Sequence, residues 1–284
     1  MTKRVLAIHD LCSFGRCSLT AAMPIISAMG SQVCPFPTAW FSNNLTYGDF
    51  HFDSFTEKMS AYLDQWQKLG YKYDAIYSGF LSGADQVALV RETIERFGTS
   101  QTLTVVDPAM GDNGALYPIF DAAMVESMKG LIAQAALITP NFTEACLLLG
   151  LSLDGFDKAP VPGKEELLTM CRALAALGPK YVVVTSVPGS ADTIRTVSYE
   201  ATSDTMTEHV VKRIGLTTCG TGDIFASVVT GALMRDLNLQ EAVALALDFA
   251  ETAIAYTHET GADVREGVQF EPCLAKLIER TRDA

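Results

Sequence analysis

Positive charge is scarce in this chain: 21 Lys and Arg stand against 33 Asp and Glu, a formal charge of −12. No broad basic surface is available to grip a nucleic-acid backbone, although one phosphate could still be held by backbone N–H groups or a metal. Long apolar runs are missing as well. No stretch reaches the length of a membrane span, and no signal peptide precedes the first apolar run. The seven cysteines have no metal-ligand spacing, with Cys12 and Cys17 five apart and the others isolated. A reduced, cytoplasmic compartment is therefore expected. There is no repeat, no interdomain linker and no GxGxxG dinucleotide fingerprint. What is present is 284 residues, 49% of them apolar and 19% charged. That suffices for one large core or two unequal ones, and one domain over 1–284 is the expectation.

Short apolar strands alternate with helical patterns, which predicts an α/β fold. Val5–Ile8 reads as a strand that ends at His9 and Asp10 and passes through a small-residue loop to a helix over 18–29. Asp10 and Ser13 stand where a ligand meets a strand end, or where a helix is capped. A second strand over 33–36 is predicted to be cut short by Pro35 and Pro37. The run from Trp40 to Gly48 mixes aromatic residues with amides, as suits a flat hydrogen-bonding ligand or a buried loop. Strands follow at 75–77, 103–106, 137–138 and 181–184, with antiparallel ones at 193–199 and 208–212. Helices are predicted over 52–69, 86–97, 164–177, 239–256 and 273–278, with another that opens in Thr139–Glu144, Pro140 at its entry, and runs through Leu149, and a surface loop over 154–163.

Three strand ends carry chemistry. Asp107 and Asp112 lie in a Pro/Gly loop, as a metal or phosphate pair or as ordinary turn residues. Asn141 and Glu144 share the first-turn face of a helix, either holding hydrated Mg2+ or standing there because Thr139 or Asn141 caps the helix and Glu144 suits the positive end of its dipole. The segment Gly220-Thr221-Gly222-Asp223 precedes Ile224, Phe225, Val228, Val229, Ala232 and Leu233 at helical spacing. Such a turn opening a helix can hold an anion. An aspartate there would repel that anion, which makes sense if it takes a proton from a hydroxyl attacking a phosphoryl group. The alternative is an N-capping loop.

The motifs IHDLCSFG, FSNNLTYGDF, YSGF, VVDPAMGD, ITPNFTEA, VVVTS and CGTGD occur in an order that resembles the ribokinase-like superfamily, and within it the pyridoxal/pyridoxine kinases. The resemblance implies a three-layer αβα sandwich with a mostly parallel central sheet. It implies transfer of the ATP γ-phosphate to the 5′-hydroxymethyl group of pyridoxal, pyridoxine or pyridoxamine, with Mg2+, possible monovalent K+ and a homodimer. Carried over by motif, Asp223 would be the base, and Gly220, Thr221 and Gly222 the anion hole. Glu144 with Asn141 would position Mg2+, with Asp107 and Asp112 in the cation network. Tyr117, Thr139, Thr185 and Ser186 would line the nucleotide phosphates. Asp10, Phe41, Ser42, Tyr47 and Phe80 would meet the vitamer. His9 and Asp10 depart from the family pattern, which has an amide and a serine there. Hydroxymethylpyrimidine kinase of thiamine synthesis, and a non-catalytic vitamer-binding protein, are the rival readings.

Overall fold

A computed structural model describes residues 2–154, 156, 161–190, 192–215 and 218–282. The protein is α/β with a mostly parallel sheet, as the strand–helix alternation requires. By compactness the chain resolves into two units, Met1–Gly79 with Arg96–Thr102 and Ile214–Ala284, and Phe80–Glu95 with Leu103–Arg213.

In the first unit, β1 (Arg4–Cys12) is flanked in parallel by β2 (Gln32–Phe41) and β4 (Ala75–Ser78), and the short β3 (Phe52–Ser54) runs antiparallel to β2. Val5, Leu6, Ala7 and Ile8 are fully buried, the continuous apolar run expected of a strand covered on both faces. β2 does not stop at its prolines. It pairs with β1 from Gln32 onward but with β3 only at Ala39–Phe41. Pro35 and Pro37 thus lie where the far side of the strand has no ladder partner, and their missing N–H groups cost nothing. Helices α1 (Ser18–Ala28), α7 (Thr221–Met234) and α8 (Leu239–Thr260) pack together, with α2 (Thr56–Leu69) against β2 and the terminal α9 (Leu274–Thr281) against α1. Ten of the 14 residues of α7 are buried, so the helix is held nearly all round and its first turn is fixed in place.

In the second unit, β5 (Leu103–Val106), β8 (Leu137–Ile138) and β9 (Tyr181–Pro188) run parallel, then β10 (Thr193–Glu200) and β11 (Thr205–Lys212) continue antiparallel. Helices α3 (Ala84–Phe97), α4 (Ala122–Ile132), α5 (Phe142–Leu149) and α6 (Lys164–Ala175) complete it. Helix α4 is absent from the sequence reading, although Asp121 caps it and Met124, Val125, Met128, Leu131 and Ile132 bury one face. The loop expected over 154–163 falls largely outside the described residues. A small hairpin, β6 (Gly111–Asp112) and β7 (Ala115–Leu116), turns through Asn113 and Gly114, both left-handed (φ 51 and 79). Among the described residues no helix is long and apolar enough to cross a membrane.

Candidate active site

The first unit gathers its polar groups where β1 ends and α7 begins. Asp223 is the third residue of α7, and its carboxylate is 18% exposed. The preceding cap residue, Gly220, is left-handed (φ 82), and an added Cβ would lie 1.9 Å from the Arg16 carbonyl oxygen. Only glycine fits, and glycine offers no side chain to the first turn, so the leading N–H groups of α7 are left uncapped. Helices α4, α5 and α8, by contrast, are capped by Asp121, Asn141 and Asn238. Burial pushes the Asp223 carboxyl from 3.8 up to about 7, against a backbone hydrogen bond from Ser18, with Asp10 adding repulsion. No Lys or Arg among the described residues comes within ion-pair distance of Asp223. His9 Nδ1, 4.0 Å from Asp223 Oδ1, is the nearest titratable nitrogen.

Asp10 is buried, and it accepts hydrogen bonds from Ser18 Oγ at 2.6 Å and from Cys12 Sγ at 3.3 Å. Burial raises its pKa despite both donors. Ser18 therefore serves two carboxylates at once, its hydroxyl holding Asp10 and its N–H facing Asp223. It does so from a left-handed backbone (φ 49) that a serine rarely adopts, a local strain of the kind concentrated at functional sites. Nothing in the residue type announces this, and by sequence Ser18 is only the start of a helix.

The predicted vitamer residues of this unit divide. Phe41 is buried with Cys12, Cys17 and Ala39 and stacks on Phe52 at 5.3 Å between ring centres, so it is a packing residue beneath the surface. Ser42 and Tyr47 line open clefts of about 380 Å³ each. One is bounded by Ser13, Trp40, Ser42, His51, Phe52 and Asp53, the other by Phe14, Ser42, Asn43, Tyr47 and Asp49. Asp223 lines neither. The segment 263–267 straps this region together: the Arg265 carbonyl accepts from Asn44 Nδ2, Thr46 Oγ1 and Cys219 Sγ, and its guanidinium lies over the Tyr47 ring. A carbonyl leaves no trace in residue type, which is why the strap escaped the sequence reading. Burial pushes the Cys219 thiol up to about 11, in keeping with a spacer and not a nucleophile.

In the second unit, Thr139, Asn141, Glu144 and Thr185 come together after β8 and beside β9, where Asn141 bridges to Thr185. Thr139 is buried, and its hydroxyl has no hydrogen-bond partner. Ser186 is exposed, with a left-handed φ of 55. Glu144 is fully engaged. One carboxylate oxygen accepts from Met110 N (3.0 Å) and Gly111 N (3.4 Å), the other from Asn141 N (2.8 Å), while Asn141 Oδ1 caps Glu144 N at 2.9 Å. Burial pushes the Glu144 carboxyl up to about 8, while those N–H groups pull it down. Asp112 is exposed and accepts from Asn113 N and Nδ2; Asp107 is buried at the end of β5. No group of three His, Cys, Asp or Glu among the described residues is placed to hold an ion, because Glu144 is turned onto backbone and Asp112 onto its neighbour. What remains fits a hydrated Mg2+ carried on phosphates, which needs only one or two carboxylates. Tyr117 and Phe80 flank Phe120, at 6.3 and 5.8 Å between ring centres.

Comparison with known proteins gives this geometry its relatives. Residues 27–267 match the phosphomethylpyrimidine kinase family. A pyridoxine/pyridoxal/pyridoxamine kinase of Bordetella avium is 27% identical over 266 residues, covering 89% of this chain and 85% of that protein. The structure of a putative phosphomethylpyrimidine kinase from Bacteroides thetaiotaomicron, in a crystal form with pyridoxal, superposes with a TM-score of 0.92 at 38% identity, covering 98% of this chain and 96% of that one. Pyridoxal kinase from Lactobacillus plantarum superposes with a TM-score of 0.90 at 28% identity, covering 100% and 99%.

Proposed function

The chain belongs to the phosphomethylpyrimidine kinase family, and from its likeness to pyridoxal kinases within that fold we propose that it transfers the γ-phosphate of ATP to the 5′-hydroxymethyl group of pyridoxal, pyridoxine or pyridoxamine. The observation that carries the mechanism is the uncapped first turn of α7 with an acid pushed to about 7 beside it. Asp223 ionises near neutral pH, so it can take the proton of the attacking hydroxyl and hold it. The N–H groups of Gly220, Thr221 and Gly222 stabilise the charge on the transferring phosphoryl, with the positive end of α7 behind them. The buried Thr139 hydroxyl, with Thr185, Ser186 and Tyr117, is assigned to the nucleotide phosphates. Mg2+, when bound, neutralises charge on the phosphate oxygens; Asp107, Asp112 and Glu144 with Asn141 would hold its water shell, beside a monovalent K+.

Asp10 is assigned to the polar end of the vitamer, where a buried carboxylate favours a protonated ring nitrogen or amine. Ser42 and Tyr47, which line the clefts of the first unit, are assigned to the ring, with Phe41 as the packing layer beneath them; Phe80 is assigned to the same ligand by its motif. The pyridoxal-bound relative at 38% identity favours a pyridine vitamer over hydroxymethylpyrimidine as the acceptor. Seven free cysteines suit a reducing cytoplasm. The exposed Trp40 and Phe52 are offered to the expected homodimer, which sedimentation would test. A coupled kinase assay with ATP, Mg2+ and K+ across the three vitamers and hydroxymethylpyrimidine tests the whole reading. Turnover confined to hydroxymethylpyrimidine would overturn the substrate, and no turnover on any of the four would overturn the reaction.

A further inference from the structure

One group beside the proposed base has no role in that mechanism. His9 is completely buried, and neither imidazole nitrogen has a hydrogen-bond partner. Burying both nitrogens of one ring unpaired is costly, and such an arrangement calls for a reason. A Cβ on Gly79 would collide with His9 Nδ1, so the absence of a side chain at 79 leaves the space that the imidazole occupies. Tyr77 closes the other side, edge-on at 4.3 Å between ring centres, and the Ser78 hydroxyl on the same strand is buried without a partner too. His9 Nδ1 is then 4.0 Å from Asp223 Oδ1, one small side-chain adjustment beyond a hydrogen bond. Hydrogen bonds of this kind are often long before the ligands arrive and shorten when they bind.

We propose that His9 is a positioning residue for Asp223: in the loaded site its neutral imidazole donates Nδ1–H to Oδ1 and turns the other lone pairs of the carboxylate toward the acceptor hydroxyl. This rests on reading Asp223 as the base. A neutral donor suits the task. It orients the carboxylate without cancelling the charge that makes it basic, whereas an imidazolium would form an ion pair and weaken the base. The surroundings keep it neutral. Asp10 and Cys12 on β1, Cys17 ahead of α1, Tyr77 on β4, Asp223 on α7 and Cys219 before it are the titratable groups nearest in the fold, and the one cation on β1, Arg4, stands five residues away at the far end of the strand. Burial pushes the imidazole down to about 3.

The test compares His9→Phe, which keeps a ring but cannot donate, with His9→Gln, whose amide can. A donated hydrogen bond favours the ionised carboxylate, so its loss raises the pKa of Asp223 and moves the acidic limb of the kcat profile upward. In the intact kinase, His9→Phe is expected to lower kcat at pH 7 about tenfold and shift that limb by roughly one pH unit, with KM for ATP unchanged. His9→Gln is expected to recover most of both. In the Asp223→Asn background His9→Phe should cost nothing further. An unchanged limb in His9→Phe, or a full additional loss in Asp223→Asn, would overturn the proposal while leaving the base reading intact. Normal turnover by Asp223→Asn alone would overturn the base reading itself. Should His9→Phe fail to fold, nitrogen NMR of the wild-type protein with ADP, Mg2+ and pyridoxal decides: the Nδ1–H tautomer of His9 supports the proposal, and the Nε2–H tautomer overturns it.

Discussion

Glu144 and Asp223 hold the same position in two helices, the third residue of the first turn, and both are pushed well above the ordinary carboxylate range by burial. They differ in what surrounds them. Glu144 closes a capping box with Asn141 and holds three backbone N–H groups, two of them from a loop more than 30 residues away. Asp223 follows a cap residue with no side chain and receives one backbone hydrogen bond, from Ser18. The second unit therefore spends its buried acid on architecture, and the first leaves its acid unfilled. A carboxylate whose lone pairs are taken by the protein is a clamp; one held in place but unsatisfied is poised for a proton from outside.

The sharpest way to break this contrast is Asp223→Asn. The amide keeps the shape but cannot accept the proton, so turnover is expected to fall roughly 10²–10⁴-fold. Stability should not fall. The folded protein keeps a proton on Asp223 up to about 7 that the unfolded chain releases near 3.8. The contribution of this acid is thus full below pH 4 and lost as pH rises through 7, and the asparagine variant should be at least as stable at pH 8. Calorimetry and kcat on one preparation check both halves. Normal turnover with a lowered unfolding temperature would make Asp223 another clamp.

A second expectation concerns pH in the unmodified protein. If the acid near 7 is the base, kcat/KM should fall tenfold per pH unit below about 7, whereas an ordinary aspartate would hold the plateau to about pH 4. A profile flat from pH 5 to 8 would mean that Asp223 ionises normally.

The sequence made some of this contrast legible. The pattern Asn141-x-x-Glu144 is itself a capping signature, so the architectural reading of Glu144 was visible beside the metal reading. What could not be read was its grip on Met110 and Gly111, because partners so distant in sequence leave no local periodicity. The GTGD turn was legible because only small residues allow it, and its uncapped state follows from Gly220. Ser18 was illegible for the opposite reason: a left-handed serine looks like any helix-starting serine. The Asn113-Gly114 hairpin and helix α4 did carry signals, a turn dipeptide in one case and a capped apolar stripe in the other. The run of β2 through Pro35 and Pro37 depended on which side of the strand is paired, which residue types do not encode.

Glu144→Gln probes the clamp. Glutamine has one oxygen to offer where the carboxylate uses two, so at least one of the Asn141, Met110 and Gly111 N–H groups loses its acceptor. The expected cost is about 1–3 kcal/mol of unfolding free energy. Denaturant titration measures it, and a Mg2+ titration of activity alongside reports whether the carboxylate also serves the metal. An unchanged stability would remove the clamp and put the two acids on the same footing.

The smallest expected effect comes from Ser18→Gly, set against Asn141→Ala as its counterpart in the second unit. Ser18 pairs a strained backbone with a hydrogen bond to a buried carboxylate, and glycine gives up both together. Relief of a left-handed φ is worth about 1–3 kcal/mol. The lost bond to Asp10 costs about 1.5–3 kcal/mol. The two nearly cancel, so stability should stay within about 1 kcal/mol of the parent. The backbone N–H toward Asp223 survives the change, and turnover should hold up better than the vitamer preference. Asp10, freed of its closer donor, is expected to shift the ranking of pyridoxal, pyridoxine and pyridoxamine by kcat/KM. Asn141→Ala removes the acceptor that caps Glu144 N and the Nδ2 donor that holds the Gly111 carbonyl, with no strain to relieve in return. It should lower stability by about 2 kcal/mol and leave that ranking as it was. The reverse outcome, a destabilised Ser18→Gly with an unaltered vitamer ranking, would make Asp10 and Ser18 a second structural clamp, and the first unit would then be built like the second.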